Sequence, residues 1–274
     1  MESNLAKELN GKFNPIVLIK TDEEPKNAIG PKSREGNCIM PFIAQVIVNG
    51  KTAVFSRNKC TCAGAFTGFG FGSGYTLQEY GLDIYNPFLS LGLKVAKDKE
   101  AYKKFVESTP ERIRPMFEGG ERIYDSYERC NNFLTNENYI YDNDEEFVVF
   151  KPLSEVIEGE SPSNVIFTVN RLEFSALNHL FGAISNELNY CMTPQASACQ
   201  AIGNQVFYQA EQDKPKAVLG LLDIASIQHI KRWIPDDYIT YSIPWDLYLK
   251  LEEASKDDSV FQGYVWNSIK KDKK

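Results

Sequence analysis

The chain has 274 residues and a net charge of −7, with 43% hydrophobic, 12% aromatic and 24% charged residues. This composition suits one large domain or two small ones and excludes a disordered chain. The acidic balance argues against broad nucleic-acid binding, no stretch approaches the roughly 20 apolar residues that span a bilayer, and the early acids of MESNLAKELNGKFN argue against a signal peptide.

The expected setting is therefore cytoplasmic, without nucleic-acid or membrane partners. The six cysteines are then expected as reduced thiols rather than a disulfide framework. Ser3 caps a short helix, Asn4 to Leu9, which Asn10 and Gly11 end. Pro15 to Lys20 (PIVLIK) reads as a buried strand, and the charged segment 21–36 as a surface loop. Pro41 suits the first turn of a helix over Met40 to Val48, where its missing N–H is not needed, and Asn49-Gly50 stops it. Thr52 to Phe55 reads as a strand, followed by a turn rich in cysteine and glycine.

A helical insertion is expected near 98–135, with Ile123, Tyr127, Cys130 and Leu134 on one face and a helix start at Thr109-Pro110-Glu111. Residues 139–146 form an acidic loop. Phe147 to Phe150, Val165 to Val169, Ala217 to Leu222 and Tyr238 to Ile243 read as strands. Leu172, Ala176, Leu180 and Ile184 mark a helix. Ser197 to Gln200 has the form of a capping box, and Asp223 caps a helix over Ile224 to Trp233. Two helices, Trp245 to Ala254 and Val260 to Ile269, close the chain before a basic tail, 270–274. The mixture predicts an α+β protein: one domain over 1–274, with a mixed sheet and flanking helices. A loose recurrence suggests two related βαβ-like halves: PIVLIK, a cysteine-bearing helix and a strand, then VIFTV, the Cys199 helix and AVLGLL.

The chemistry concentrates on cysteine. Cys199 falls in the first turn of a capped helix, and Cys38 lies at the start of the Pro41 helix. Free amides and the helix dipole favour a thiolate at both positions. Cys60 and Cys62 form C-x-C. Together Cys38, Cys60, Cys62 and Cys199 make four soft ligands, the number that zinc or an iron–sulfur cluster takes, although the spacing matches no standard motif. The competing reading makes each a small apolar residue of the core; Cys130, on an apolar stripe, is assigned there.

The run AGAFTGFGFGSGY has alternating glycines, unlike a dinucleotide fingerprint. It reads as a loop in which Gly64, Gly68 and Gly70 approach a ligand or cofactor and Phe66, Phe69, Phe71 and Tyr75 offer stacking surface, or as a connector with its aromatics packed inward. His179 and His229 lack a cysteine or carboxylate at ligand or triad spacing. The acidic runs, Asp142 to Glu146 and Glu252-Glu253, read as solvated surface.

The chain resembles the domain of unknown function 169 family of archaea and anaerobic bacteria. The matching pieces are PIVLIK, the Cys38 helix, Cys60-x-Cys62-Ala63-Gly64-Ala65, FVVFKPL, NVIFTVN, SACQAI, AVLGLLDIAS and YSIPWDLYLKLE. The resemblance implies one domain over most of the chain and family-pattern cysteines at Cys38, at one of Cys60 and Cys62, and at Cys199. Where the family often carries an arginine after the aspartate matching Asp223, this chain has Ile227, so an anion-binding role for that arginine does not carry over. Three functions follow as expectations. The first is a cysteine-ligated metal or iron–sulfur protein of anaerobic redox or cofactor metabolism, binding a metal or small molecule and compatible with a homo-oligomer. The second is a small-molecule binding module that uses the loop 64–75. The third is a metal-free thiol enzyme that uses Cys199.

Overall fold

The structure, a computed structural model, describes residues 1–31, 38–60, 62–76, 81–137 and 140–272. In chain order the first half holds α1 (Asn4–Leu9), β1 (Ile16–Thr21), α2 (Met40–Asn49), β2 (Ala53–Ser56) and α3 (Ala63–Gly68). The insertion follows, with α4 (Gly81–Leu89), α5 (Glu100–Ser108), α6 (Arg114–Gly119) and α7 (Tyr127–Asn132), and then β3 (Phe147–Pro152). The second half holds β4 (Pro162–Val169), α8 (Arg171–Leu180), β5 (Cys191–Met192), α9 (Ala198–Ala201), α10 (Asn204–Ala210), β6 (Ala217–Gly220), α11 (Ile224–Ile230) and β7 (Ile239–Pro244). Helices α12 (Trp245–Ala254) and α13 (Tyr264–Asp272) finish it. The α+β expectation holds.

The strands form one sheet in the order β2-β3-β1-β4-β7-β6-β5. All neighbours are antiparallel except β5 and β6. The order shows the recurrence heard in the sequence. From the centre outwards the first half reads β1-β3-β2 and the second β4-β7-β6. In each half the first two strands run the same way, with the third inserted antiparallel between them, a split β–α–β unit. β1 and β4 meet at the seam, with Ile16 opposite Ile166 and Val17 opposite Val165.

Period-two alternation along these apolar strands buries both faces of the sheet. One face carries Ile16, Leu18, Phe55, Val148, Phe150 and Ile166 against α2, α3, α9, α10 and α11. The other carries Val17, Ile19, Val149, Val165, Phe167 and Ile243 against α1, α8, α12 and α13. Among the described residues no helix is long and apolar enough to cross a membrane.

Several elements depart from expectation. The Gly-rich turn contains helix α3. Thr109 ends α5 instead of starting a helix. Ile123 is exposed and precedes α7, so the proposed four-residue stripe is not continuous, although Cys130 and Leu134 are buried together as expected. The last expected tail residues, 273–274, lie outside the described residues, and Lys270 pairs with Glu8 at 3.1 Å.

Glu252 is a larger correction, because it is buried rather than solvated. Its carboxylate accepts from the Ser3 hydroxyl at 2.7 Å, the Asn4 and Leu5 amides at 2.5 and 3.2 Å, and the Tyr248 hydroxyl at 2.9 Å. It thereby satisfies the start of α1 from α12, on the far side of the sheet from the thiols. Glu252→Ala would leave these donors without their acceptor in a buried site, at a cost of about 3 kcal/mol. The expected result is a urea midpoint lowered by roughly 1 M or more, with no change in thiol reactivity.

Candidate functional site

Four helices begin at one end of the seam. α3 packs on α9, and α2 packs on α11. In each pair, a helix that follows the first strand of one half meets a helix that follows the second strand of the other. The residues at their starts are Cys38 before α2, Cys62 at the N-cap of α3, Ser197 and Cys199 at the start of α9, and Asp223 at the N-cap of α11. Asp223 therefore occupies in the second half the place that Cys62 holds in the first.

The close packing of α3 on α9 depends on glycine. A Cβ on Gly64 would lie 2.8 Å from Ser197 Oγ, 3.1 Å from Cys199 Sγ and 3.3 Å from the Tyr75 hydroxyl. A Cβ on Gly68 would meet the Cys199 carbonyl oxygen at 2.6 Å, and one on Gly203 would meet the Gly68 carbonyl oxygen at 1.9 Å. Gly64 and Gly68 are four apart on α3, so a side-chain-poor stripe of α3 faces Cys199 on α9 and Gly203 at the N-cap of α10. Gly70 is elsewhere: it has φ +77° and packs against Asn143.

This packing sets the Cys62 and Cys199 side chains close enough for their ionisation to be coupled through a side-chain hydrogen bond. Donation from the Cys199 thiol is the main reason the Cys62 thiol is pulled down to about 7, against the opposing effect of burial. The amides of Ala65 and Gly64 point toward its sulfur and add to the effect, without forming a capping hydrogen bond of ordinary geometry. Cys199 is pushed well up, first because its proton is held in that contact and then by burial. Ser197 Oγ lies 3.2 Å from its sulfur. The pair loses its first proton from Cys62, which is partly exposed, while Cys199 is buried. The sequence points to Cys199 as a thiolate-prone sulfur; in the structure it is the Cys62 thiol that is pulled down and the Cys199 thiol that is pushed up.

Neighbouring groups keep the pair in a fixed frame. Gln200 reaches back to the Ser197 amide at 3.3 Å, as the capping-box pattern predicts. Asp223 accepts from the Ala198 amide at 2.5 Å and from the Ser226 amide at 2.7 Å, so one carboxylate serves the first turns of both α9 and α11. The Ala63 amide donates to the Tyr85 hydroxyl at 3.3 Å. Burial pushes the Tyr75 and Tyr85 phenols up, so both stay neutral. Glu121 is raised to about 7 by burial and then by the charge of Asp223.

The remaining expectations divide. Cys38 is close enough to Cys62 and Asp223 for their charges to affect it, but burial pushes it to about 12. Cys60 belongs to the hydrophobic core, and burial raises it further. Among the described residues no group of three or more His, Cys, Asp or Glu is gathered to hold a metal ion; of the four expected ligands, Cys62 and Cys199 meet, Cys38 lies near them and Cys60 is buried in the core. Phe69, Phe71 and Tyr75 are buried, and Phe69 packs on Phe55 and Phe150. The inward-packed alternative thus describes this run, and the stacking surface over a ligand is not formed. His179 and His229 are both exposed. Sequence reasoning passed over Tyr85, Glu121 and the second acceptor role of Asp223; the i, i+4 glycine spacing was the available signal for the helix contact.

One result checks the electrostatics directly. Iodoacetamide labelling of Cys62 is expected to rise through about pH 7 and level off above it, because only the thiolate reacts. Cys38 and Cys130, near 12, and Cys191, near 11, would remain unlabelled at that pH. Peptide mapping after a short pulse at each pH would check this.

The fold and site define an α+β protein built from two split β–α–β halves, with a polarised pair of thiols where the halves meet. The family model described as DUF169, uncharacterised ArCR, matches residues 4–254, and the chain belongs to that family. No curated protein and no solved structure was found to match it.

Proposed function

We propose that the protein carries out two-electron thiol–disulfide exchange, with Cys62 as the attacking thiolate and Cys199 as the resolving thiol. The reading is supported by the close packing of α3 on α9, which sets the Cys62 and Cys199 side chains beside each other so that one thiol is pulled down and the other pushed up. Attack by Cys62 on a disulfide R–S–S–R forms Cys62–S–S–R and releases RS⁻. Cys199 then loses its proton and attacks the Cys62 sulfur, which closes a Cys62–Cys199 disulfide and releases the second RS⁻. The substrate gains two electrons, the protein loses two, and each released thiolate takes up a proton. Run in reverse, the same steps oxidise a dithiol or a pair of thiols.

The test is oxidation of the anaerobically reduced protein with hydroxyethyl disulfide. The expected result is a mass loss of two hydrogens and a tryptic peptide linking Cys62 to Cys199. If both residues remained alkylatable after treatment, the exchange reading would be lost. A second reading keeps Cys38, Cys62 and Cys199 as ligands of zinc or an iron–sulfur cluster; the three influence one another's ionisation, but as they stand they are not gathered to hold an ion, so this reading requires the side chains to draw together on binding. Stoichiometric iron or zinc in anaerobically purified protein would favour it over exchange.

A further inference from the structure

An open cavity of about 710 Å³ lies between the insertion and the turn that leads into α9. This is within the size range of small-molecule sites. Its apolar wall includes Tyr124 and Phe133, which pack in one cluster with Ala63 and Tyr75. Gln195 lines the other side, two residues before Ser197 and its contact with Cys199. One layer of side chains therefore belongs both to the cavity and to the surroundings of the thiols.

The charged lining favours an anion. Arg122 and Arg129 both line the cavity, with Asp125 as the one lining acid. Arg129 is paired with Asp125 at 3.3 Å, and that pair is exposed. Arg122 has no ion pair among the described residues, so its charge is uncompensated there. It stands out because the chain as a whole carries −7, and a distant anion meets a repelling field until it reaches a local guanidinium. The backbone holds Arg122 at φ +56°, a left-handed conformation rare outside glycine. Its amide donates to the Ser90 carbonyl at 2.9 Å, and the Glu121 amide donates to the Phe88 carbonyl at 2.7 Å. A strained residue fixed from both sides at a cavity rim is the kind of position where strain accompanies function.

We propose that this cavity binds the anionic end of the sulfur compound on which the thiol pair acts, a low-molecular-weight thiol or disulfide bearing a carboxylate or phosphate group. The proposal rests on the exchange reading for the sulfur chemistry of the ligand, but its binding is measured without exchange. Three thioethers that cannot exchange serve as probes in titration calorimetry of the full chain: (methylthio)succinate, 3-(methylthio)propyl phosphate and the neutral 2-(methylthio)ethanol. The expected result is binding of at least one anion, at least tenfold tighter than the neutral probe; which anion binds identifies the source of the charge. Arg122→Ala is expected to weaken that binding at least tenfold, with Arg122→Lys recovering part of it and both variants keeping the wild-type circular dichroism. The bound anion is also expected to slow iodoacetamide labelling of Cys62.

Equal binding of charged and neutral probes, an Arg122→Ala variant that binds like wild type, or no protection of Cys62 would each overturn the assignment. If the anion bound and protected Cys62 while hydroxyethyl disulfide left the protein unoxidised, the sulfur chemistry of the occupant would be overturned and the exchange reading would fail with it. If oxidation proceeded and the anion did not bind, the cavity assignment alone would fail.

Discussion

Cys62→Ser is expected to slow reduction of a small disulfide at pH 7 by roughly a hundredfold, with Cys199→Ser instead stopping the reaction at a mixed disulfide on Cys62. The size follows from the thiolate balance. With Cys62 near 7, about half of it is ionised at that pH, whereas Cys191 is near 11. The thiolate fraction of such a competitor is lower by roughly four orders of magnitude, and its greater intrinsic nucleophilicity recovers roughly two. Stopped-flow reduction of a chromogenic disulfide gives the rate, and intact mass spectrometry gives the trapped adduct. A Cys62→Ser protein as fast as wild type would place the reactive sulfur elsewhere. Cys199→Ala adds a second reading of the same contact: without the thiol donor, the labelling midpoint of Cys62 should move above 7.

Gly203→Ala is expected to be the most damaging single-methyl change near the site. Its Cβ would sit 1.9 Å from the Gly68 carbonyl oxygen, a backbone atom that cannot rotate away. The junction of α9 and α10 would have to move off the end of α3, and overpacking on this scale belongs at the upper end of the roughly 1–3 kcal/mol range or beyond it. Two losses should appear together: a lower denaturation midpoint, and a Cys62 labelling midpoint shifted above 7 in whatever fraction stays folded. A protein as stable as wild type, with an unchanged labelling profile, would show that the helices can separate without cost.

Much of the fold was legible because local signals agreed with the tertiary structure. PIVLIK, FVVFKP and VIFTV are β-branched and aromatic runs with turn residues around them, and all three became strands near the seam. Ser3, Ser197 and Asp223 declared helix starts through their caps. Helix α3 was not legible. AGAFTG carries two glycines, each costing about 1 kcal/mol in an isolated helix, and what makes them favourable is the close backbone of α9, far away in sequence. Burial of Glu252 was hidden for a similar reason: it sits beside another glutamate in a charged stretch, and its four donors come from α1 and from Tyr248.

Cys38, Cys62 and Cys199 were legible as candidates, but their relation was not. C-x-C suggested a shared ligand, whereas the chain sends Cys60 into the core and Cys62 to a helix start. The choice between thiols depends on which sulfur receives the other's proton, and that is set by how α3 meets α9. No local pattern contains this information. Asp223 was read as the cap of its own helix, and its second bond, to Ala198, is likewise a property of the meeting of two segments.

The strand order also sets a timetable for synthesis. Among the described residues β1 pairs only with β3 and β4, and β2, apart from a single bridge to Ile29, pairs with β3, so β1 meets no ladder partner until Phe147 and its successors have left the ribosome. At ordinary elongation rates that leaves apolar PIVLIK waiting for roughly ten seconds. Through that interval the nascent chain depends on its local helices or on a chaperone to keep the strand from pairing with another molecule. Cys62 waits at least as long, because Cys199 emerges only after β3 and β4 have been made.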